Sequence, residues 1–315
     1  MMRPIPVICD CDPGHDDAMM LLLCQASPRI RILAVTTSCG NQTIEKTTYN
    51  ALRVCTLLGI RAPVAKGSPK PLFGQPITAP NIHGQSGLDG PNLPEPAVPL
   101  SPLTAVELMA QTLRQSDEPV TILSTGPMTN TAALLLAHPE LKPKIAGISL
   151  MGGGIAHGNW TPAAEFNVLV DPEAADLVFR SGLPITMAGL DVTLKALITE
   201  TDIRRIESIG GEVSRVVARW MEFFYAFHKS IGYTGAPLHD AVAAAWLIRP
   251  ELFVTQQMFV QVETQGDYCR GATIGARPGR TDQSYAPNVR CILDLDRQGF
   301  VDLVCEAVAS YGGAT

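Results

Sequence analysis

The stretch VICDCDPGHDDAMMLLL, residues 7–23, puts Asp10, Asp12, Asp16 and Asp17 between an apolar run and a leucine-rich one. Carboxylates this close repel one another, and burying them unpaired costs several kcal/mol or drives some of them neutral. A positive charge among them removes the conflict. All the donors are oxygens, with no His or Cys ligand set nearby, so a hard cation, Ca²⁺ or Mg²⁺, suits them better than zinc. The plainer reading, in which Asp16 and Asp17 only cap a helix and complement its dipole, accounts for one acidic residue better than for four.

Two further groups could do chemistry. NWTPAAEFNVLVDPEA carries Asn159, Glu165 and Asn167 just after a glycine-rich strand end, and two amides with a carboxylate suit the hydroxyls of a sugar. The same asparagines could equally serve only to stabilise a turn. APLHDAVAAAWL sets His239 and Asp240 at the start of an apolar helix, a pair that taken alone reads as a cap and its neighbour. A zinc site at Cys9-x-Cys11 competes weakly, because no second ligand pair follows.

These residues need elements to hold them. PVICDCD reads as a buried strand and 16–26 as a helix; RILAVTTS is a strand, followed by a helix over 43–58 that stops at Gly59. PVTILSTG leads into a helix through TNTAALLLAHPE, and IAGISLMGGG is a strand running into glycines. DPEAADLVFRSG has an Asp cap, Pro at the first helical position and Gly beyond the end. PITMAGLDV is the next strand. The alternation predicts an α/β fold, a doubly wound, mainly parallel sheet flanked by helices, with its crevice at the carboxyl ends of the strands. Additional C-terminal helices and strands follow residue 201, including QMFVQVET, VRCILDLD and a helix from about 297 to the end. Residues 66–102, rich in Pro and Gly, break the rhythm, and a loop of that length is a candidate to line a site.

Composition narrows the class. The chain has 315 residues, 46% of them hydrophobic and only 17% charged, which fits one large domain spanning 1–315 rather than a disordered or fibrous chain. A net charge of −6 offers no footprint for nucleic acid or an anionic membrane. No apolar run approaches the roughly 20 residues that span a bilayer, and no signal peptide is visible, so the chain is expected in the cytoplasm. Its eight cysteines lie mostly in apolar segments without a paired framework and read as reduced.

Taken in order, DCDPGHDDA (10–18), GNQTIEKTTYNA (40–51), IHGQSGLDG (82–90), STGPMTN (124–130), MGG (151–153), NWTPAAEFNVLVDPEAA (159–175) and PLHD (237–240) resemble the inosine-uridine type nucleoside hydrolases. Within that family the chain looks most similar to bacterial ribonucleoside hydrolases with a pyrimidine preference. The resemblance implies a Ca²⁺ ion held by Asp12, Asp17, Asp240 and the main-chain carbonyl of Thr125, together with a water and two ribose hydroxyls. It implies that Asp16, Asn41, Asn159, Glu165 and Asn167 hold the ribose and its 5′-hydroxyl, with Met151 against the sugar and Asp10 as support. It further implies a homodimer or homotetramer.

On that footing Asp12 is the general base that takes a proton from water attacking C1′, and His239 is the proton donor to the leaving base. His83, from the irregular loop, also faces the base and could share that duty. Tyr225, His228 and Tyr233 of FFYAFHKSIGYTG are further candidate base contacts, although such residues at helical spacing often only pack. Two other functions compete. A Mg²⁺-dependent phosphohydrolase with a nucleophilic Asp in DCD would need a following Ser or Thr and basic residues, whereas this motif continues Pro13-Gly14-His15. A sugar-binding or Ca²⁺-storage protein would need neither Asp12 as a base nor His239 as an acid.

Overall fold

The computed structural model describes residues 3–276 and 286–312. Its centre is β1 (Ile5–Cys11), whose residues from Pro6 onward are all buried, as expected of a parallel strand covered on both faces. β1 pairs in parallel with β2 (Ile30–Thr37) on one side and β4 (Val120–Ser124) on the other. Outward from β2 lies β3 (Val64–Lys66); outward from β4 lie β5 (Ile145–Met151) and β6 (Ile185–Ala188), and β7 (Leu197–Ile198) with β8 (Ala236–Pro237) forms a separate small ribbon. The nine-stranded sheet is extended past β6 by β11 (Val289–Leu295), then β9 (Phe253–Val262) and β10 (Thr273–Ala276). β11 is parallel to β6, whereas β9 runs antiparallel to both β11 and β10. The sheet is thus mainly parallel, with the late strands added at one edge.

Strand order reverses between β1 and β4, and there the connections leave in opposite directions and open a crevice at the carboxyl ends. Asp12 follows β1 and Thr125 follows β4, so the acidic motif meets this crevice from one side and the STGPMTN turn from the other.

Two apolar layers cover the sheet. Val7, Cys9 and Cys11 point into one and Ile8 into the other, the period of two that a strand imposes. The first layer holds α1 (His15–Ala26) and α2 (Ile44–Leu58), and α3 (Pro80–His83) is a single turn in the irregular segment. The second layer holds α4 (Ala105–Gln115) and α5 (Thr129–Ala137), then, after the short α6 (Phe166–Val170), α7 (Pro172–Phe179). α8 (Leu190–Thr193), α9 (Glu200–Ser208), α10 (Glu212–Ser230), α11 (His239–Ile248) and α12 (Arg297–Ala309) return to the first layer. α1 is buried from His15 through Cys24, because the sheet, α2, α11 and α12 surround it. Each fully buried leucine there contributes roughly 1.5–3 kcal/mol, and together they anchor the helix whose first turn carries Asp16 and Asp17.

The expected helix through residue 140 ends at Ala137, where Pro139 starts a 3₁₀ turn over Pro139–Lys144. The last helix ends at Ala309, short of the chain end expected from the sequence; residues 313–315 lie outside the described residues. Asp171 caps α7 by accepting from Ala174 N at 3.1 Å, and its other oxygen accepts from Leu72 N at 2.8 Å, which ties down the irregular segment. Asn50 secures the same segment from α2, donating to the Pro13 and Ser86 carbonyls at 3.1 and 2.9 Å. Seven of the cysteines are buried, Cys9 and Cys11 within the apolar layer beneath α1, and Cys269 is exposed. Among the described residues, no helix is long and apolar enough to cross a membrane.

Candidate active site

After β1 the chain turns through Pro13-Gly14 and enters α1, which places Asp12 at the end of the strand and Asp16 and Asp17 in the first turn of the helix. Asp17 closes that turn: one of its oxygens accepts from Gly14 N at 2.9 Å, the other from Asp12 N at 3.3 Å and Thr125 Oγ1 at 2.9 Å. Asp17 does cap the helix as the plainer reading had it, yet it does so while buried among other carboxylates. Asp240, at the start of α11, completes a trio with Asp16 and Asp17 in which one oxygen of each lies within 4.8 Å of the others. Asp12 stands beside this trio. Its Oδ2 accepts from Asn41 N at 2.6 Å, while its Oδ1 and the Oδ1 of Asp16 are buried without a hydrogen-bond partner.

Glycine is required on both sides of Asp12. A Cβ on Gly40 would lie 2.0 Å from Asp12 Oδ2, and one on Gly126 2.6 Å from Asp12 Oδ1. Burial, then the Asp17 charge, pushes the Asp12 carboxyl well above the usual carboxylate range; burial and the three neighbouring aspartates do the same to Asp240. Asp16 is pushed up to about 8 and Asp17 is raised, burial being the main cause in both. Four buried carboxyls, two of them with an unpartnered oxygen, form a donor set that fits a hard divalent cation. Asp10 is a different case. It accepts from Thr36 Oγ1 at 2.8 Å, Asn130 Nδ2 at 2.9 Å and Thr131 Oγ1 at 2.9 Å, and so braces β1 against β2 and α5.

The amide and carboxylate group lies on the next wall. Glu165 caps α6, accepting from Asn167 N at 2.9 Å and Val168 N at 3.2 Å, and also accepts from Gly153 N at 2.9 Å. Burial pushes its carboxyl up to about 7 against these hydrogen bonds. Asn167 Nδ2 donates to the Thr125 carbonyl at 2.7 Å and to Met151 O at 3.3 Å, linking the turn after β4 to the end of β5. Asn159 Oδ1 accepts from Phe166 N at 3.0 Å, the turn-stabilising role weighed for it, and the residue nonetheless lines the cavity.

These groups enclose a cavity of about 320 Å³, whose wall includes Asp16, Asn41, Thr125, Met151, Asn159, Glu165, Asn167 and Asp240. His83, His228, Tyr233 and His239 face it from the remaining side. Burial pulls His239 down to about 3 and His83 well below the usual imidazole range, so both rings are neutral at pH 7. Every residue singled out from the sequence for substrate contact reaches this cavity except Tyr225, which packs on the apolar layer with Lys229 Nζ 5.7 Å from its ring centre. On α10, Phe224, Phe227 and His228 share the face that meets the cavity, with Ile231 just past the helix end, and Tyr225 is turned about 100° from Phe224. Sequence reasoning missed Phe224, Phe227 and Ile231, together with Trp160, Phe166 and Leu194. The signal for the first three was their i, i+3, i+7 spacing.

A family model for the inosine-uridine preferring nucleoside hydrolases matches residues 7–302. The chain is 55% identical to the pyrimidine-specific ribonucleoside hydrolase RihA of Salmonella typhimurium over 310 residues, covering 98% of this chain and 99% of that protein. It is 54% identical to RihA of Escherichia coli O127:H6 over 314 residues, with 98% and 99% covered. Among solved structures, a purine-preferring ribonucleoside hydrolase from Gardnerella vaginalis superposes with a TM-score of 0.90 at 30% identity, covering 98% of this chain and 99% of that one. With family motifs, fold and acidic crevice in agreement along almost its whole length, the chain belongs to the inosine-uridine preferring nucleoside hydrolase family.

Proposed function

We propose that this chain hydrolyses the N-glycosidic bond of pyrimidine ribonucleosides, releasing ribose and the free base for nucleoside catabolism or salvage. The observation that carries the reading is the group of buried carboxyls, two with an unpartnered oxygen, beneath a cavity walled by amides on one side and histidines on the other. The base preference rests on 55% identity to a pyrimidine-specific relative against 30% to a purine-preferring one.

Asp12, Asp17, Asp240 and the Thr125 carbonyl would hold a divalent cation, read here as Ca²⁺, which when bound supplies charge that keeps the carboxyls ionised and eases deprotonation of water. Asp12 Oδ1 takes a proton from the water as its oxygen adds to C1′. The C1′–N bond breaks and its electron pair leaves with the base. Asp16, Asn41, Asn159, Glu165 and Asn167 hold the ribose hydroxyls with Met151 against the ring, and their grip tightens as the sugar becomes cationic. Negative charge building on the departing base raises the proton affinity of His239, which burial otherwise keeps neutral. His239 takes up a proton from solvent and passes it to the base, returning to its neutral form, while Asp12 releases to solvent the proton it took from water; His83 is the alternative donor. Tyr233 contacts the base.

Among the described residues that line the cavity there is no Lys or Arg to hold a phosphomonoester, which disfavours the phosphohydrolase reading. All these groups meet at the carboxyl ends of the sheet's parallel strands, which supports reading 1–315 as a single hydrolase domain. The resemblance drawn from the sequence supports a homodimer or homotetramer. Incubation with uridine, cytidine, inosine, adenosine and a phosphomonoester tests the function: free base and ribose are expected, fastest from uridine or cytidine. Release of phosphate alone, or faster turnover of the purine nucleosides, would refute it.

A further inference from the structure

Two histidines on the cavity wall have inner ring nitrogens that meet different kinds of partner. His239 Nδ1 lies 2.8 Å from Thr193 Oγ1, and among the described residues this buried hydroxyl has no other acceptor. The hydroxyl therefore donates to Nδ1, and His239 carries its own proton on Nε2. His83 is set the other way. His15 Nε2 lies 2.8 Å from the Asp89 carbonyl oxygen, which can only accept, so the proton of His15 is on Nε2 and its Nδ1 is a lone pair.

That lone pair sits 3.3 Å from His83 Nδ1, with the ring centres 5.5 Å apart and the planes 19° from parallel. A centre separation so much larger than the nitrogen separation means the rings meet edge to edge, with the two nitrogens facing. Opposed lone pairs repel, which puts a proton between them, on His83 Nδ1. The main-chain N–H of His15 reaches the same atom at 3.4 Å, the longer contact, and alone it would leave the lone pairs opposed.

We propose that Thr193 and His15 are positioning residues that hold the two cavity histidines in opposite tautomers, so that His239 presents an N–H and His83 a lone pair to the base. This rests on the reading that a nucleoside base occupies the cavity. An N–H suits the pyrimidine O2, which gains negative charge as the bond to N1 breaks. A lone pair suits the ring N–H of uracil or the amino group of cytosine.

Long-range ¹H–¹⁵N correlation spectra of the full-length protein labelled with ¹⁵N-histidine read tautomers directly, and the chain has only six histidines to assign. His228, whose Nδ1 lies 2.8 Å from the Phe224 carbonyl, is the internal reference for an Nδ1–H ring. The expected spectrum matches His83 to that reference and shows His239 protonated on Nε2. An Nε2–H pattern at His83, or Nδ1–H at His239, overturns the proposal without any variant having to fold. Thr193→Val and His15→Phe should each redistribute the tautomer of their own partner. Each should also lower kcat/KM on uridine roughly tenfold relative to p-nitrophenyl riboside, about the worth of one hydrogen bond. A variant that leaves its partner's tautomer unchanged overturns the role of the residue replaced. Opposite tautomers in a protein that does not cleave uridine would overturn the assignment to a base, and would be distinguishable from failure of the tautomer assignment itself.

Discussion

Gly40→Ala moves Asp12 without altering its chemistry. The backbone at Gly40 lies outside the left-handed region, so alanine adopts it freely, and only the new methyl group matters. That carbon would sit 2.0 Å from Asp12 Oδ2, against a floor of 3.0 Å for real contacts, with Pro127 Cδ at 2.8 Å also in its way. The carboxylate must retreat by about 1 Å and loosen the 2.6 Å hydrogen bond from Asn41 N. A displacement of that size at a reacting group costs on the order of 100-fold in rate, or about 2.7 kcal/mol. Steady-state kcat should fall by about that factor on both uridine and p-nitrophenyl riboside, because the base acts on water whichever group leaves. Circular dichroism and bound-Ca²⁺ measurements establish that the variant is folded and loaded. A folded, loaded variant with kcat within about threefold of the parent would refute the reasoning that the position of Asp12 governs the reaction.

Asp12→Asn should lower kcat by orders of magnitude on both substrates, since it removes the base and weakens a ligand; near-normal kcat with metal bound would move the base elsewhere. His239→Ala should lose roughly 10²–10⁴-fold on uridine while keeping most of its activity on p-nitrophenyl riboside, whose leaving group is already a stable anion. Equal losses on the two would show that His239 positions the sugar or the metal ligands, and would send the search for the acid to His83. Chelation should abolish turnover, and full activity in thoroughly metal-depleted protein would end the metal mechanism. In depleted protein, burial raises Asp16 to about 8 and raises Asp12, Asp17 and Asp240, so their protonated forms favour the fold. That stability is complete below about pH 4 and is lost as pH climbs toward the raised values. Melting temperature should therefore drop between about pH 5 and about pH 8 without Ca²⁺, and Ca²⁺ should restore more at the higher pH; an increment independent of pH would count against the carboxyl cluster.

The strand and helix rhythm was legible because local chemistry dictates it. Continuous apolar runs make covered parallel strands, and Asp171-Pro172 states a helix start in two residues. The sequence also announced the acidic turn, since four aspartates in eight positions are costly wherever they fold. What it could not state was which carboxylates share space. Asp240 lies more than two hundred residues from Asp16, and only the packing of α11 on α1 brings them within 4.8 Å, while Asp10, still inside β1, hydrogen-bonds to β2 and α5 in a separate network and Asp12, two residues on, lies past the end of the strand. The base-facing wall was hidden for the same reason. Helical spacing in α10 allowed either Tyr225 or Phe224 with Phe227 and His228 to face the ligand, and the choice depended on how that helix rotates against α3 and α9. Sequence settles which residue types are present and how often they recur along an element. Burial, and with it the raised carboxyls and the neutral histidines, is a property of neighbours far apart in the chain, and exists only once the layers have closed.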